Sequence, residues 1–193
     1  MKRKLWWVVP ALLASGSAWA HGGHDHVHGF VSGLAHPVGG LDHLLAMIGV
    51  GLFAGMLGGA SRWRLPLAFV AAMTLGAAAG LAGIGSGAPT EQLIALGVLA
   101  IGLAIAFALR VRPALATALV AACALFHGQA HGAELPAQAG ALAYVAGFVL
   151  STAALHGVGL VLATALRAAR EDLRAARAAG GAIALAGLVL ALV

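Results

Sequence analysis

Six apolar runs, at residues 40–59, 65–84, 92–109, 114–131, 140–165 and 178–193, constrain this chain more than any other feature. Each approaches the ~20 residues that an α-helix needs to cross the hydrocarbon core of a bilayer. Backbone polar groups in lipid find no water, so spanning runs of this length resolve into helices. The pattern predicts an all-α membrane protein, a bundle of six transmembrane helices. A chain of 193 residues that is 62% hydrophobic and 9% charged has the balance of a membrane domain and not of a soluble core. Its 28 glycines suit helices that pack backbone to backbone.

The connections between runs fix an orientation. Arg62 and Arg64 separate the first two runs, Arg110 and Arg112 the third and fourth, and Arg167, Arg170, Arg174 and Arg177 the last two, where Glu171 and Asp172 also lie. The alternate connections, 83–91 and 132–139, carry no Lys or Arg. Every Arg beyond the leader therefore falls on one side, and the positive-inside rule makes that side cytoplasmic. The expected protein is multi-pass in the bacterial inner (cytoplasmic) membrane, with the mature N-terminus and the C-terminus both periplasmic. The net charge of +5 then reports orientation in the lipid bilayer, and no nucleic-acid partner is expected. The single Cys123 sits in an apolar run, which leaves no disulfide framework and no thiolate metal site; it reads as packing.

Residues 1–20 read as a cleaved signal peptide. Lys2, Arg3 and Lys4 form its positive end, residues 5–14 its apolar centre and Ala18-Trp19-Ala20 its small-residue cleavage pattern. An uncleaved first helix is the alternative. The organisation expected is thus a signal peptide at 1–20, a periplasmic His-rich segment at 21–35 and a six-helix transmembrane domain at 36–193. His21, His24, His26 and His28 place four imidazoles in eight residues, a composition that reads as metal capture; a solvated, disordered tail is the competing reading.

The chemistry concentrates in two stretches. His36-Pro37-Val38-Gly39-Gly40-Leu41-Asp42-His43 opens the first apolar run. An Asp near a helix centre in lipid costs roughly 2.5–3.5 kcal/mol, and it is kept only where it faces the protein interior or a polar cavity. Pro37 suits the first turn of a helix, and Gly39-Gly40 leaves the backbone free to bend. On a continuous helix, His36 and His43, seven residues apart, would point the same way. The second stretch is Phe126-His127-Gly128-Gln129-Ala130-His131-Gly132-Ala133-Glu134. His127, His131 and Glu134 share a helical face. Imidazole with carboxylate suits a borderline divalent cation such as nickel, cobalt or zinc.

The arginine asymmetry puts both stretches at the periplasmic ends of spans one and four. His36, Asp42, His43, His127, His131 and Glu134 therefore read as one metal site on the side from which a cation arrives. His156 lies deeper, within span five, as a pathway residue or a helix–helix bond. Gln129 would be a weak oxygen ligand or a donor behind the ligands. Gly51 and Gly55, and Gly76 and Gly80, are spaced for close helix contact. Met47, Met56 and Met73 scatter as gap fillers, and Trp63 looks like an interfacial anchor.

HPVGGLDH and FHGQAHGAE resemble the two signature motifs of the HupE/UreJ family of nickel/cobalt permeases, and the likeness runs from the leader to the last helix. The resemblance implies a small bacterial inner-membrane protein found with hydrogenase or urease systems. It further implies a permease, not an enzyme, whose cargo is Ni2+ or Co2+ and which holds no resident cofactor. Two readings compete with it. One is an intramembrane zinc-dependent hydrolase using the same His/Asp cluster, with a carboxylate activating water; the other is a metal-sensing scaffold without turnover. No nucleotide-binding loop is present, so the chain does not hydrolyse ATP itself. Two clusters, a His-rich outer tail and a very small cytoplasmic surface favour the permease. Ligand type does not separate nickel from cobalt, and a homo-oligomer or a metallochaperone partner stays open.

Overall fold

A computed structural model describes residues 29–85, 88–134, 141–168 and 173–192, and among these the chain forms seven helices. They are α1 (Gly29–Gly39), α2 (Leu41–Leu57), α3 (Ser61–Leu81), α4 (Ala88–Ala106), α5 (Pro113–Glu134), α6 (Ala141–Ala168) and α7 (Arg174–Leu192). Five of them, α3 to α7, are long and apolar enough to cross a membrane, and the bent pair α1–α2 makes a sixth crossing if it counts as one. The all-helical expectation holds. The expected leader and His21, His24, His26 and His28 lie outside the described residues.

The first crossing departs from its sequence reading. Pro37 does not open a helix; it sits near the end of α1, which starts at Gly29. The chain then breaks at Gly40, whose extended backbone (φ −105°, ψ 128°) caps α2, and the two helices meet at 82°. A proline removes one N–H and crowds the carbonyl four residues back, and two glycines follow it that favour leaving the helix. The flexibility expected of Gly39-Gly40 is thus used as a sharp corner. His36 and His43 do not share a continuous helix.

Helices pair where side chains are missing. The most extensive pairings are α3 with α5, α4 with α7, α2 with α6, and α1 with α6. A Cβ at Gly76 or Gly80 would overlap the carbonyl of Leu125 or Gln129, and one at Gly128 or Gly132 would overlap that of Met73 or Ala77. The α3–α5 seam is therefore built from glycines on both sides, two of them in the second histidine stretch. Between α2 and α6, Gly51 meets the carbonyl of His156 and Gly159 that of Ile48. In lipid, close backbone approach of this kind supplies the van der Waals contact that holds helices together. Met47 and Met73 fill the buried core beside Phe53, Leu65 and Phe69.

The outer surface is apolar: Leu67, Leu75, Leu142, Val161 and Leu192 are each two-thirds exposed or more. Large leucines in that position suit acyl chains, not water. Trp63 is 70% exposed, as an interfacial anchor would be. At one end of the bundle Arg64, Arg110 and Arg167 line a cavity of about 550 Å3 with Gly58, Gly59 and Leu173. The arginine-bearing connections therefore meet at a common end. Arg167 donates to the carbonyl of Met56, and Arg177 Nε donates to that of Ala106 at 2.8 Å.

Candidate metal centre

The opposite end gathers the histidines. Asp42 and His43 stand in the first turn of α2, and His127 and His131 in the last two turns of α5. His36 comes from α1. On a straight helix seven residues would separate His36 and His43 by about 10 Å of rise. The corner at Gly40 closes their ring centroids to 6.1 Å. His36 lies 4.6 Å from His131, His131 4.5 Å from His43, and His43 5.0 Å from His127. Four imidazoles from three helices thus form one cluster.

Hydrogen bonds fix how two of the rings present themselves. His43 Nδ1 lies 2.7 Å from Asp42 Oδ1, and His127 Nδ1 lies 2.9 Å from the carbonyl of Cys123. With N–H donating in each case, the other ring nitrogen, Nε2, carries the lone pair. A carboxylate or carbonyl behind an imidazole is the arrangement that orients a metal-ligating histidine. Gly40 is part of that geometry, because a Cβ there would stand 2.7 Å from Asp42 Oδ1 and 2.9 Å from His43 Nδ1. Cys123 contributes its backbone, while its thiol packs against Gly97.

The front nitrogens are unspent. Among the described residues, His43 Nε2, His127 Nε2 and both nitrogens of His131 are buried with no hydrogen-bond partner. Leaving a buried polar group unpaired costs about 1–3 kcal/mol, so a site with several of them is suited to a ligand that accepts lone pairs. Among the described residues no three His, Cys, Asp or Glu side chains already stand in coordinating geometry. The imidazoles meet tilted or edge to face, and a cation would have to turn them toward itself.

The remaining sequence candidates fall in different places. Glu134 closes α5, and its side chain lies outside the described residues. Gln129 is not among the histidines: its amide lies against Gly85, in the turn after α3. Two residues from each histidine is about 200° round a helix, so the second stretch splits into a histidine face and a packing face. His156 is buried in α6 but apart from the cluster, with Phe69 between it and His127.

The wall of the cluster was not foreseen. Phe148 of α6 packs 4.4 Å from His131, and Tyr144 lies 5.8 Å from His36. Tyr144, Phe148, Thr152 and His156 recur every four residues on one face of α6, and Tyr144 is the single tyrosine of the chain. That spacing was the available signal.

An apolar outer surface, up to six crossings and a buried imidazole cluster at one mouth define a multi-pass membrane protein with a built polar site. The family model described as HupE / UreJ protein matches residues 9–190, and the chain belongs to the HupE/UreJ family. Protein HupE of Rhizobium leguminosarum bv. viciae is similar to it, 44% identical over 187 residues that cover 97% of this chain and 96% of that protein. No solved structure matches the chain.

Proposed function

We propose that this chain is an inner-membrane permease that takes up a divalent transition metal, nickel or cobalt, and supplies metalloenzymes such as hydrogenase or urease. The observation that carries this reading is the cluster of His36, His43, His127 and His131, in which His43 Nε2, His127 Nε2 and both nitrogens of His131 are buried with no hydrogen-bond partner among the described residues. Neutral imidazole binds borderline cations well and releases them without covalent change. His43 and His127 would ligate through Nε2, with Asp42 and the Cys123 carbonyl orienting them from behind. His131 and His36 would join from the facing side. The arginine-bearing end is cytoplasmic by the positive-inside rule, which puts the cluster at the periplasmic mouth, where a hydrated cation arrives and exchanges water for imidazole.

The hydrolase reading is less well supported. It needs a carboxylate free to activate water beside an open coordination position, whereas Asp42 is engaged with His43. The test is uptake of nickel by cells expressing the chain, with cobalt in competition. Uptake that rises with expression and is displaced by cobalt is expected; no uptake, with the protein present in the membrane, would sink the permease. Orientation is tested separately, in a Cys123→Ala background. Gly87→Cys should react with a membrane-impermeant thiol reagent from outside and Arg170→Cys should not, and the opposite labelling would move the cluster to the cytoplasmic side.

A further inference from the structure

We propose that the ring of Phe69 divides the metal route in two, with an inner polar station formed by Thr152 and His156 behind it; this rests on the permease reading above. The rings make a continuous file. His36, His131, His43 and His127 follow one another at 4.6, 4.5 and 5.0 Å. The next ring is Phe69, 5.8 Å from His127, and beyond it stands His156, 4.9 Å from Phe69. One phenyl ring thus interrupts a row of five imidazoles. Phe69 is fully buried and comes from α3, a helix that lends no donor to the cluster. The glycine seam that brings α3 against α5 also brings Phe69 to the histidines.

The far side of Phe69 is polar in a way that packing alone does not require. His156 is 1% exposed and Thr152 is 0% exposed. Among the described residues neither nitrogen of His156 nor the hydroxyl of Thr152 has a hydrogen-bond partner. Threonines in helices ordinarily return their hydroxyl to a carbonyl three or four residues back. Thr74, Thr117 and Thr164 do so here, bonding Val70, Pro113 and Val161 at 2.8 Å each. Thr152 does not. It lies four residues before His156 on the same face of α6, so the two unspent side chains share that face. A histidine retained only to join two helices would have spent a nitrogen on one of them.

The chemistry of each part follows. The outer cluster offers several imidazoles and retains a dehydrated cation. A phenyl face offers no lone pair, so a cation passes it only when the ring turns aside or water accompanies the ion. Thr152 and His156 offer one hydroxyl and one imidazole, too few donors to complete a coordination shell. A cation there keeps water and leaves easily. Strong capture, a barrier and weak inner hold let the site be occupied without leaking.

The experiment uses the purified full chain, with cobalt as probe. Visible absorption follows binding in detergent, and cobalt flux is measured into liposomes that contain the protein. The wild type should show a tight and a weak class of site. Asp42→Ala should abolish the tight class, while His156→Ala and Thr152→Val remove the weak class and leave the tight one unchanged. Phe69→Ala, or Phe69→Leu should the smaller side chain not fold, should raise passive cobalt flux about tenfold or more at equal protein with tight binding preserved. A single class of site that Asp42→Ala removes and His156→Ala leaves untouched would overturn the inner station while the permease reading stands. Flux equal to or below wild type in a folded Phe69 variant would overturn the divide. No cobalt binding by the wild type would overturn the permease site itself and this proposal with it.

Discussion

At one end of the bundle Arg167 gives its guanidinium to the carbonyl of Met56, and Arg177 donates to Ala106 at 2.8 Å. At the other, His43, His127 and His131 keep buried ring nitrogens that no group among the described residues takes. The arginines sit where α2 and α4 finish, at the negative ends of helix dipoles, and the carbonyls they bond are ones a helix terminus leaves free. Their chemistry is completed by the fold. The imidazoles of His127 and His131 are buried and that of His43 half-buried, and the hydrogen bonds to Asp42 and Cys123 orient two of the rings without exhausting them. Groups left open in this way do not stabilise the end they occupy. That end is held by what surrounds it, above all the α3–α5 glycine seam and the corner at Gly40. The difference separates residues that finish the structure from residues that the structure keeps in reserve.

The largest effects should come from the reserved groups. His43→Ala or His127→Ala should abolish metal uptake while the protein still inserts, because each removes a donor and leaves the others without their cation. Asp42→Asn keeps shape but loses the carboxylate behind His43, and should weaken metal affinity by about 10–100-fold. Uptake by cells at matched membrane levels, together with cobalt titration of purified protein, measures both. Near-normal transport by the His127 variant would erase the distinction between the two ends.

A smaller effect should come from the scaffold. Gly128→Ala or Gly132→Ala drives a methyl into the carbonyl of Met73 or Ala77, an overpacking that costs about 1–3 kcal/mol. Thermal unfolding in detergent should show that loss, accompanied by weaker metal binding as His127 and His131 shift. Gly181→Ala is the control, since nothing lies within 4 Å of its new Cβ and a helical alanine gains about 0.5–1 kcal/mol over glycine. Equal stability of the Gly128 and Gly181 variants would show that the seam does not carry the histidines.

Much of this was legible in the sequence, and the misses have physical causes. Hydropathy located the long apolar helices because lipid demands length and apolarity together. The His127–His131 pair was legible because a spacing of four on a helix needs no tertiary information. The join between His36 and His43 was not. Whether Pro37 opens or ends a helix depends on where α1 docks, and that is decided by Gly33 against the Tyr144 carbonyl and Gly147 against that of Phe30, contacts more than a hundred residues apart in sequence. Phe69, Phe148 and Thr152 were hidden for a different reason. In a run that is apolar on every face, periodicity does not say which face meets the site. Gln129 was assigned too much, because a motif read as a string does not show that alternate members face opposite ways.

The smallest effects belong to the arginine end. Arg167→Ala and Arg177→Ala each remove one bond to a terminal carbonyl and one charge at a helix C-terminus. Both side chains are exposed, so water re-solvates the freed carbonyls and the loss should be about 0.3–1 kcal/mol apiece. Orientation should survive either change, because the other arginines of that side remain. Metal affinity should not move at all. His43 and Leu57 lie about 21 Å apart along α2 at 1.5 Å per residue, and the bonds of Arg167 and Arg177 end on Met56 and Ala106. Cobalt titration of the Arg167 variant beside wild type is the sharpest reading, because the expected difference is none. A weaker tight site in a variant whose stability has barely changed would mean that the ends communicate along α2 or α6. The arginines would then take part in the metal's release and not merely in finishing the helices.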